Sequence, residues 1–296
     1  MPEEAPTDDR IRPLAIVCVL ATLSLIIAFL GATPARVSAT EMLGQARAAG
    51  DSAFIASHRG GGATAPENTL PAISAALAGG FDYVEIDVAL TADRVPVLMH
   101  DATVDRTTDG HGPLSALTLA EVKTLDAGSW FAPEYAGTSV PTFTEVLDLL
   151  DESGHRAIVE LKGEWDADAV AGAVDEITAR GLERRVAVSS FDARTLAMTG
   201  AASGVVARLF ILRHLPDDVV AAAQEAGVRG LVVARRAVID RPEIVEELHA
   251  AGIRVVVYTL NDDTQWDEVT ALGVDGIVTD DPATLSLWQQ GVAGQR

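Results

Sequence analysis

Between Ser57 and Asp101 the chain sets out residue types able to hold a metal ion, move protons and grip a phosphate. Ser57-His58-Arg59-Gly60-Gly61-Gly62 opens the stretch and Pro66-Glu67-Asn68-Thr69 follows. Val84-Glu85-Ile86-Asp87-Val88 and Val97-Leu98-Met99-His100-Asp101 complete it. Side chains alternate faces along a strand. Tyr83, Glu85 and Asp87 therefore share one face, and Val84, Ile86, Val88 and Leu90 form an apolar face for packing under helices. Two ionised carboxylates side by side in an interior repel and lose hydration, at a cost of several kcal/mol each, so a cation must compensate. A later run, Val159-Glu160-Leu161-Lys162, repeats the pattern, with Glu160 and Lys162 inward. Adjacent strands lie about 5 Å apart, so Glu160 can join Glu85 and Asp87 around one ion. Three hard oxygen donors with no paired soft ligand favour one divalent cation, Ca²⁺ or Mg²⁺, over zinc. The competing arrangement of the same residues is a buried ion-pair network, neutralised by Arg59 and Lys162.

His58 and His100 fall at strand ends beside this cluster. Two imidazoles of near-neutral pKa suit the base and the acid of a two-step displacement. Arg59 offers a fork of donors that fits phosphate, and Lys162 a point charge. The glycines after Arg59 let backbone approach an anion closely. Glu67, Asn68, Tyr258 and Asn261 are candidates for the substrate wall, and Asn68 is also a candidate helix N-cap. His111, His155, His214 and His249 read as surface residues. Asp105-Arg106-Thr107-Thr108 reads as loop-stabilising, and Asp280-Asp281 as a turn and helix cap before Pro282.

Short apolar runs alternating with helical stretches carry these residues. The strand candidates are Ala53–His58, Tyr83–Leu90, Ala157–Lys162, Val186–Phe191, Val206–Leu212, Gly230–Arg235, Arg254–Leu260 and Gly276–Asp280. Val95–His100 follows a polar turn and reads as a hairpin extension of the second strand. Strands alternating with helices imply an α/β parallel sheet, and eight is the count that closes a TIM (β/α)8 barrel. An open doubly wound sheet is the alternative, but no Gly-x-Gly-x-x-Gly fingerprint follows the first strand. Asp101–Pro141, rich in Thr, Asp and Gly, is a loop insertion after the second strand, where barrel enzymes place substrate loops.

The chain has 296 residues, 22 Lys+Arg against 43 Asp+Glu, and a formal charge of -21. Nucleic acid is a poor partner for so acidic a surface. Any phosphate site must supply its own local positive charge. The single cysteine, Cys18, rules out a disulfide framework or a cysteine-rich zinc site. Leu14–Leu30 is an uncharged apolar run preceded by Arg10 and Arg12. The expected division is a cytoplasmic tail (1–13), a transmembrane anchor or signal segment (14–33), a linker with a short helical patch (34–51) and the barrel (52–296). The anchor reading gives a single-pass cell-membrane protein with its catalytic domain outside the cytoplasm. The alternative is secretion after a cut following Val37-Ser38-Ala39.

Taken together, the motifs resemble the glycerophosphodiester phosphodiesterase family over about Phe54 to Gln290. They include His58-Arg59-Gly60, Pro66-Glu67-Asn68-Thr69, Glu85-Ile86-Asp87-Val88, His100-Asp101 and Asp105-Arg106-Thr107-Thr108-Asp109-Gly110. Leu125-Asp126-Ala127-Gly128-Ser129-Trp130-Phe131, Val159-Glu160-Leu161-Lys162, Ser189-Ser190-Phe191 and Ile277-Val278-Thr279-Asp280 complete the set. The resemblance implies a TIM barrel in which His58 and His100 are the acid/base pair, Glu85, Asp87 and Glu160 bind the metal, and Arg59 and Lys162 hold phosphate. It implies a small glycerophosphodiester as substrate, cleaved to glycerol 3-phosphate and an alcohol. A lysophospholipase D-type head-group hydrolase and a catalytically silent binding barrel are the alternatives. Tyr258 departs from the family's usual tryptophan, and His111 from a small residue.

Overall fold

The computed structural model describes residues 38–293. The expected tail and anchor or signal segment, 1–33, lie outside the described residues, and among those described no helix is long and apolar enough to cross a membrane. Nine strands form one sheet: β1 (Phe54–Ser57), β2 (Tyr83–Leu90), β3 (Pro96–Leu98), β4 (Arg156–Leu161), β5 (Val186–Ser190), β6 (Ala207–Leu212), β7 (Gly230–Ala234), β8 (Arg254–Tyr258) and β9 (Gly276–Thr279). The order β1-β9-β8-β7-β6-β5-β4-β2-β3, with β1 also paired to β2, closes eight parallel strands into a barrel. β3 runs antiparallel to β2 outside that ring, as the polar turn before it implied. All eight barrel strands fall within a residue or two of their expected spans.

The barrel exists because most strands have two apolar faces, β2 and β4 being apolar outward and acidic at their inward carboxyl ends. Outward side chains such as Val84, Ile86, Val88, Val159 and Leu161 pack under helices Phe143–Ser153 and Ala167–Ala179 in one buried cluster. A second outer cluster gathers Val233, Val255, Val257 and Ile277 with helix residues Leu248, Trp266 and Leu285. Inward side chains Phe54, Tyr83, Ile158, Leu209, Val232, Val256 and Val278 fill the interior. Parallel strands covered on both sides bury their backbone polar groups in the ladder and their side chains in two layers.

The segment expected as a linker does more. Helix α1 (Ala39–Leu43), capped by Ser38, places Met42 and Leu43, both essentially inaccessible, into the interior cluster at the amino-terminal end of the barrel. The Tyr83 hydroxyl donates to the Met42 carbonyl. Buried Arg254 donates to the Gly44 carbonyl at 3.0 Å and the Thr40 hydroxyl at 3.1 Å. Residues 38–51 thus plug the barrel floor rather than trail from it.

The insertion between β3 and β4 has its own small core, in which Val97, Met99, Val104, Leu114, Val122 and Val140 are buried. Asp126 organises its far side by accepting from the backbone of Gly128, Ser129 and Gly137 at 2.8–2.9 Å. A side chain at Gly128 would collide with the Tyr135 carbonyl at 1.9 Å, which explains the glycine there.

Candidate active site

The carboxyl ends of the strands converge on a cavity of about 420 Å³. His58, Arg59, Glu85, His100, Glu160 and Lys162 all line it, so six of the sequence-derived candidates meet in one place. Asp87 sits directly opposite Glu160 in the β2–β4 register. Glu85, Asp87 and Glu160 each offer a ligand oxygen within 4.8 Å of the others. All three are buried.

These acids fit a cation. Asp87 Oδ1 and Glu160 Oε1 are buried and accept no hydrogen bond. Lys162 Nζ lies near both, at 3.2 and 2.7 Å, but the contact is ionic and not aligned as a hydrogen bond. Burial and the neighbouring Asp87 charge push Glu85 up to about 8, and burial pushes Glu160 up to about 7. Burial alone would raise Asp87 too, but Lys162 and Arg59 outweigh it and hold Asp87 low. A site with more negative charge than its cations neutralise, built from hard oxygens, matches Ca²⁺ or Mg²⁺ chemistry.

The local backbone is bent to build this cluster. Arg59 and Asn68 both adopt left-handed φ, 53° and 55°, which L-residues rarely do without cause. The turn lets the Arg59 N–H donate to Glu85 Oε2 at 3.0 Å and its carbonyl accept from the Asn68 N–H at 2.9 Å. Asn68 then pairs reciprocally with Asp87: its Nδ2 donates to Oδ2 at 2.9 Å, and its Oδ1 accepts the Asp87 N–H at 3.1 Å. Asn68 is not the helix cap; Thr69 caps helix α2 (Leu70–Gly79). The glycines do not cradle an anion either. The N–H groups of Gly61 and Gly62 both donate to the His58 carbonyl, and Gly60 lies where a Cβ would stand 2.9 Å from the Ala72 backbone.

Each histidine carries its own carboxylate. His58 Nδ1 pairs with Asp280 Oδ1 and His100 Nδ1 with Asp101 Oδ1, both at 2.6 Å. That pairing fixes the Nδ1 edge and leaves Nε2 for chemistry. The two environments differ. Burial would lower His58, but Asp280 and then Glu85 outweigh it, so its pKa is raised. At His100 burial prevails over Asp87 and Asp101, so its pKa is lowered.

Of the four expected wall residues, Tyr258 lines the cavity. Asn261 stands behind it, donating to Asp280 Oδ2 at 2.6 Å. Glu67 also stands behind, accepting from Arg59 Nη1 at 2.6 Å and from Arg106 at 2.7 and 2.8 Å. Sequence reading passed over three residues. Asp280 orients His58. Arg106 joins Glu67 to Asp101, donating to Asp101 Oδ2 at 2.6 Å, so it braces both the arginine and the histidine arms. Arg213 lines the cavity with its guanidinium 4.8 Å from the Phe191 ring centroid. The Asp-Arg-Thr-Thr motif was the available signal for Arg106; only barrel closure brings Asp280 to His58. His249, expected at the surface, is partly buried and holds fully buried Asp275 at 2.7 Å.

Known proteins are similar to this chain in sequence and in fold. The sequence profile of the glycerophosphoryl diester phosphodiesterase family matches residues 58–284. A glycerophosphodiester phosphodiesterase of Caldanaerobacter subterraneus is 33% identical over 244 residues, covering 78% of this chain and 96% of that protein. An Oleispira antarctica phosphodiesterase, solved in complex with the product sn-glycerol-3-phosphate, superposes with TM-score 0.77 at 29% identity, covering 86% of this chain and 99% of that one. A glycerophosphodiester phosphodiesterase of Agrobacterium tumefaciens superposes with TM-score 0.69 at 31% identity, covering 80% of this chain and all of the other (100%). With the profile spanning the barrel from its first histidine into the last helix, the chain belongs to the glycerophosphoryl diester phosphodiesterase family.

Proposed function

We propose that this chain hydrolyses glycerophosphodiesters to glycerol 3-phosphate and an alcohol, with one divalent cation and two histidines. The observation that carries the reading is the convergence of a buried three-carboxylate cluster and two carboxylate-paired imidazoles on one cavity. Glu85, Asp87 and Glu160 would hold the cation. When bound, it supplies Lewis-acid polarisation of a phosphoryl oxygen and lowers the pKa of an attacking hydroxyl.

The protein's own groups do the rest. His100, whose pKa burial lowers, takes the proton of the attacking hydroxyl, which is water or the glycerol 2-hydroxyl; in the second case a cyclic phosphate forms, and water then opens it to glycerol 3-phosphate with the two histidines exchanging roles. His58, whose pKa Asp280 and Glu85 raise against the effect of burial, gives its proton to the leaving alkoxide. Arg59 and Lys162 present positive charge where the phosphoryl oxygens become more negative, and both are fixed by carboxylates on their far sides.

The test is glycerol 3-phosphate release from a glycerophosphodiester by the 38–296 chain, first with EDTA and then with Ca²⁺ or Mg²⁺ restored. Loss and rescue by one ion is the expected outcome. Undiminished turnover in EDTA would remove the metal from the reading. Turnover of lysophosphatidylcholine alone would move the assignment to a head-group hydrolase.

A further inference from the structure

Three cationic side chains line the main cavity besides the histidines: Arg59, Lys162 and Arg213. The first two are committed to the acidic cluster. Arg59 pairs with Glu67 and Asp87, and Lys162 with Asp87 and Glu160. Arg213 is different. It follows β6, two strands along the ring from β4, with the Phe191 ring between it and Lys162. Its guanidinium rests against the face of Phe191 and, among the described residues, is in no ion pair with a carboxylate. In a chain with formal charge -21, nearly every other site-facing cation is neutralised in place.

We infer that Arg213 selects glycerophosphodiesters whose alcohol arm carries a carboxylate or a second phosphate; this rests on the phosphodiesterase reading above. A diester has two arms, and the site offers two spaces. His100 and Lys162 line both the main cavity and a second groove of about 490 Å³. A phosphoryl group held at those two residues therefore has room on either side. The second groove offers Ser115, Glu164 and Arg94, groups suited to a diol. The main cavity offers an apolar strip of Ile211, Val232 and Val256 with Arg213 at its edge. The glycerol arm bears only hydroxyls, so an anion met by Arg213 must belong to the alcohol.

The physics favours an anion over a cation there. An aromatic ring beside a phosphate site invites a quaternary ammonium through cation–π attraction. Here the Phe191 ring already has Arg213 at 4.8 Å and Lys162 Nζ at 5.7 Å from its centroid. A third positive group would be repelled by both. A carboxylate would instead meet a solvent-exposed planar fork of donors in bidentate geometry.

Glycerophosphoserine and glycerophosphoethanolamine differ only by a carboxylate, so the ratio of their kcat/KM values isolates its recognition. The metal-loaded wild-type protein is expected to favour the serine diester. Arg213→Gln should lower that ratio about five- to tenfold, the range of an exposed charge-assisted contact. Arg213→Lys should retain part of it, and rising salt should erode it in the wild type. A ratio unchanged in Arg213→Gln, or an equal fall for both substrates, would overturn the inference while leaving the phosphodiesterase reading intact. No turnover of either diester by the wild type would overturn both.

Discussion

His58 and His100 are chemically the same residue, and the fold makes them different. Asp280 and Glu85 hold the His58 proton against burial, while burial prevails at His100. In the metal-free protein, NMR titration of the two imidazoles should therefore find His58 losing its proton at higher pH than His100. Asp280→Asn should lower the His58 pKa and reduce kcat, by about tenfold or more, since general acid–base groups contribute factors of that order or above. A variant that keeps full turnover with a shifted His58 would separate the carboxylate from catalysis. Asp101 is held far below the ordinary carboxylate range by Arg106 and then by His100, so it stays ionised throughout that titration. Arg106 itself is held positive by Glu67 and Asp101. It works by fixing Glu67 behind Arg59 and Asp101 behind His100.

At the scale of elements, the helix–loop segment 38–51 decides where the folded domain starts. Met42 and Leu43 are buried in the barrel interior, and burying such a side chain contributes about 1.5–3 kcal/mol. Asp275, fully buried, accepts from the Arg47 N–H at 3.1 Å and the Val255 N–H at 2.7 Å, and pairs with His249. Removing the segment strips Asp275 of its Arg47 partner and opens the barrel floor. A chain beginning at Gly50 is expected to unfold several degrees below one beginning at Ser38, by thermal denaturation monitored by circular dichroism. Equal midpoints would mean the plug is dispensable. The same packing bears on processing. Ser38 caps the helix and Ala39 is buried, so a cut after Ala39 would remove a cap from the folded domain. We therefore propose that the mature N-terminus lies upstream of Ser38, and mapping it at Thr40 would refute this. We also propose a single-pass membrane placement, on the uncharged apolar run Leu14–Leu30.

At the scale of the molecule, the active site is a source of instability that a bound cation is expected to relieve. Glu85 and Glu160 are raised to about 8 and about 7 when folded, while an unfolded glutamate titrates at about 4.3. The folded state therefore holds more protons than the unfolded one across that interval, and stability falls as pH rises through it. His58, also raised, acts in the same direction. At the acid end Glu67, Asp101 and Asp280 are held low, so their contribution disappears as pH falls below the ordinary carboxylate range. The metal-free protein should thus be most stable on the acid side of neutrality. Adding Ca²⁺ or Mg²⁺ should raise the melting temperature more at pH 8 than at pH 5.5. At a hundredfold excess over Kd the gain is about 2.7 kcal/mol, or roughly 5–10 °C. A cation effect that is absent at pH 8 would argue for the buried ion-pair network instead.

What could be read without the structure was whatever a local period encodes. The alternation in Tyr83–Leu90 and Val159–Lys162 put Glu85, Asp87 and Glu160 on one face, and the β2–β4 register confirms the neighbours. The strand count announced the barrel because each strand's apolar faces are written in consecutive residues. Partner choice across the barrel is not local. Asp280 is 222 residues from His58 in sequence and meets it only because β9 closes against β1. Arg106 reaches Glu67 across 39 residues, and Asn68 gives up its expected cap to bind Asp87. Met42 and Leu43 looked like linker residues because a short helix carries little periodic signal and their burial depends on an open barrel end. Chain chemistry determined which groups would sit at the site; closure of the ring decided which of them hold one another, and with what charge.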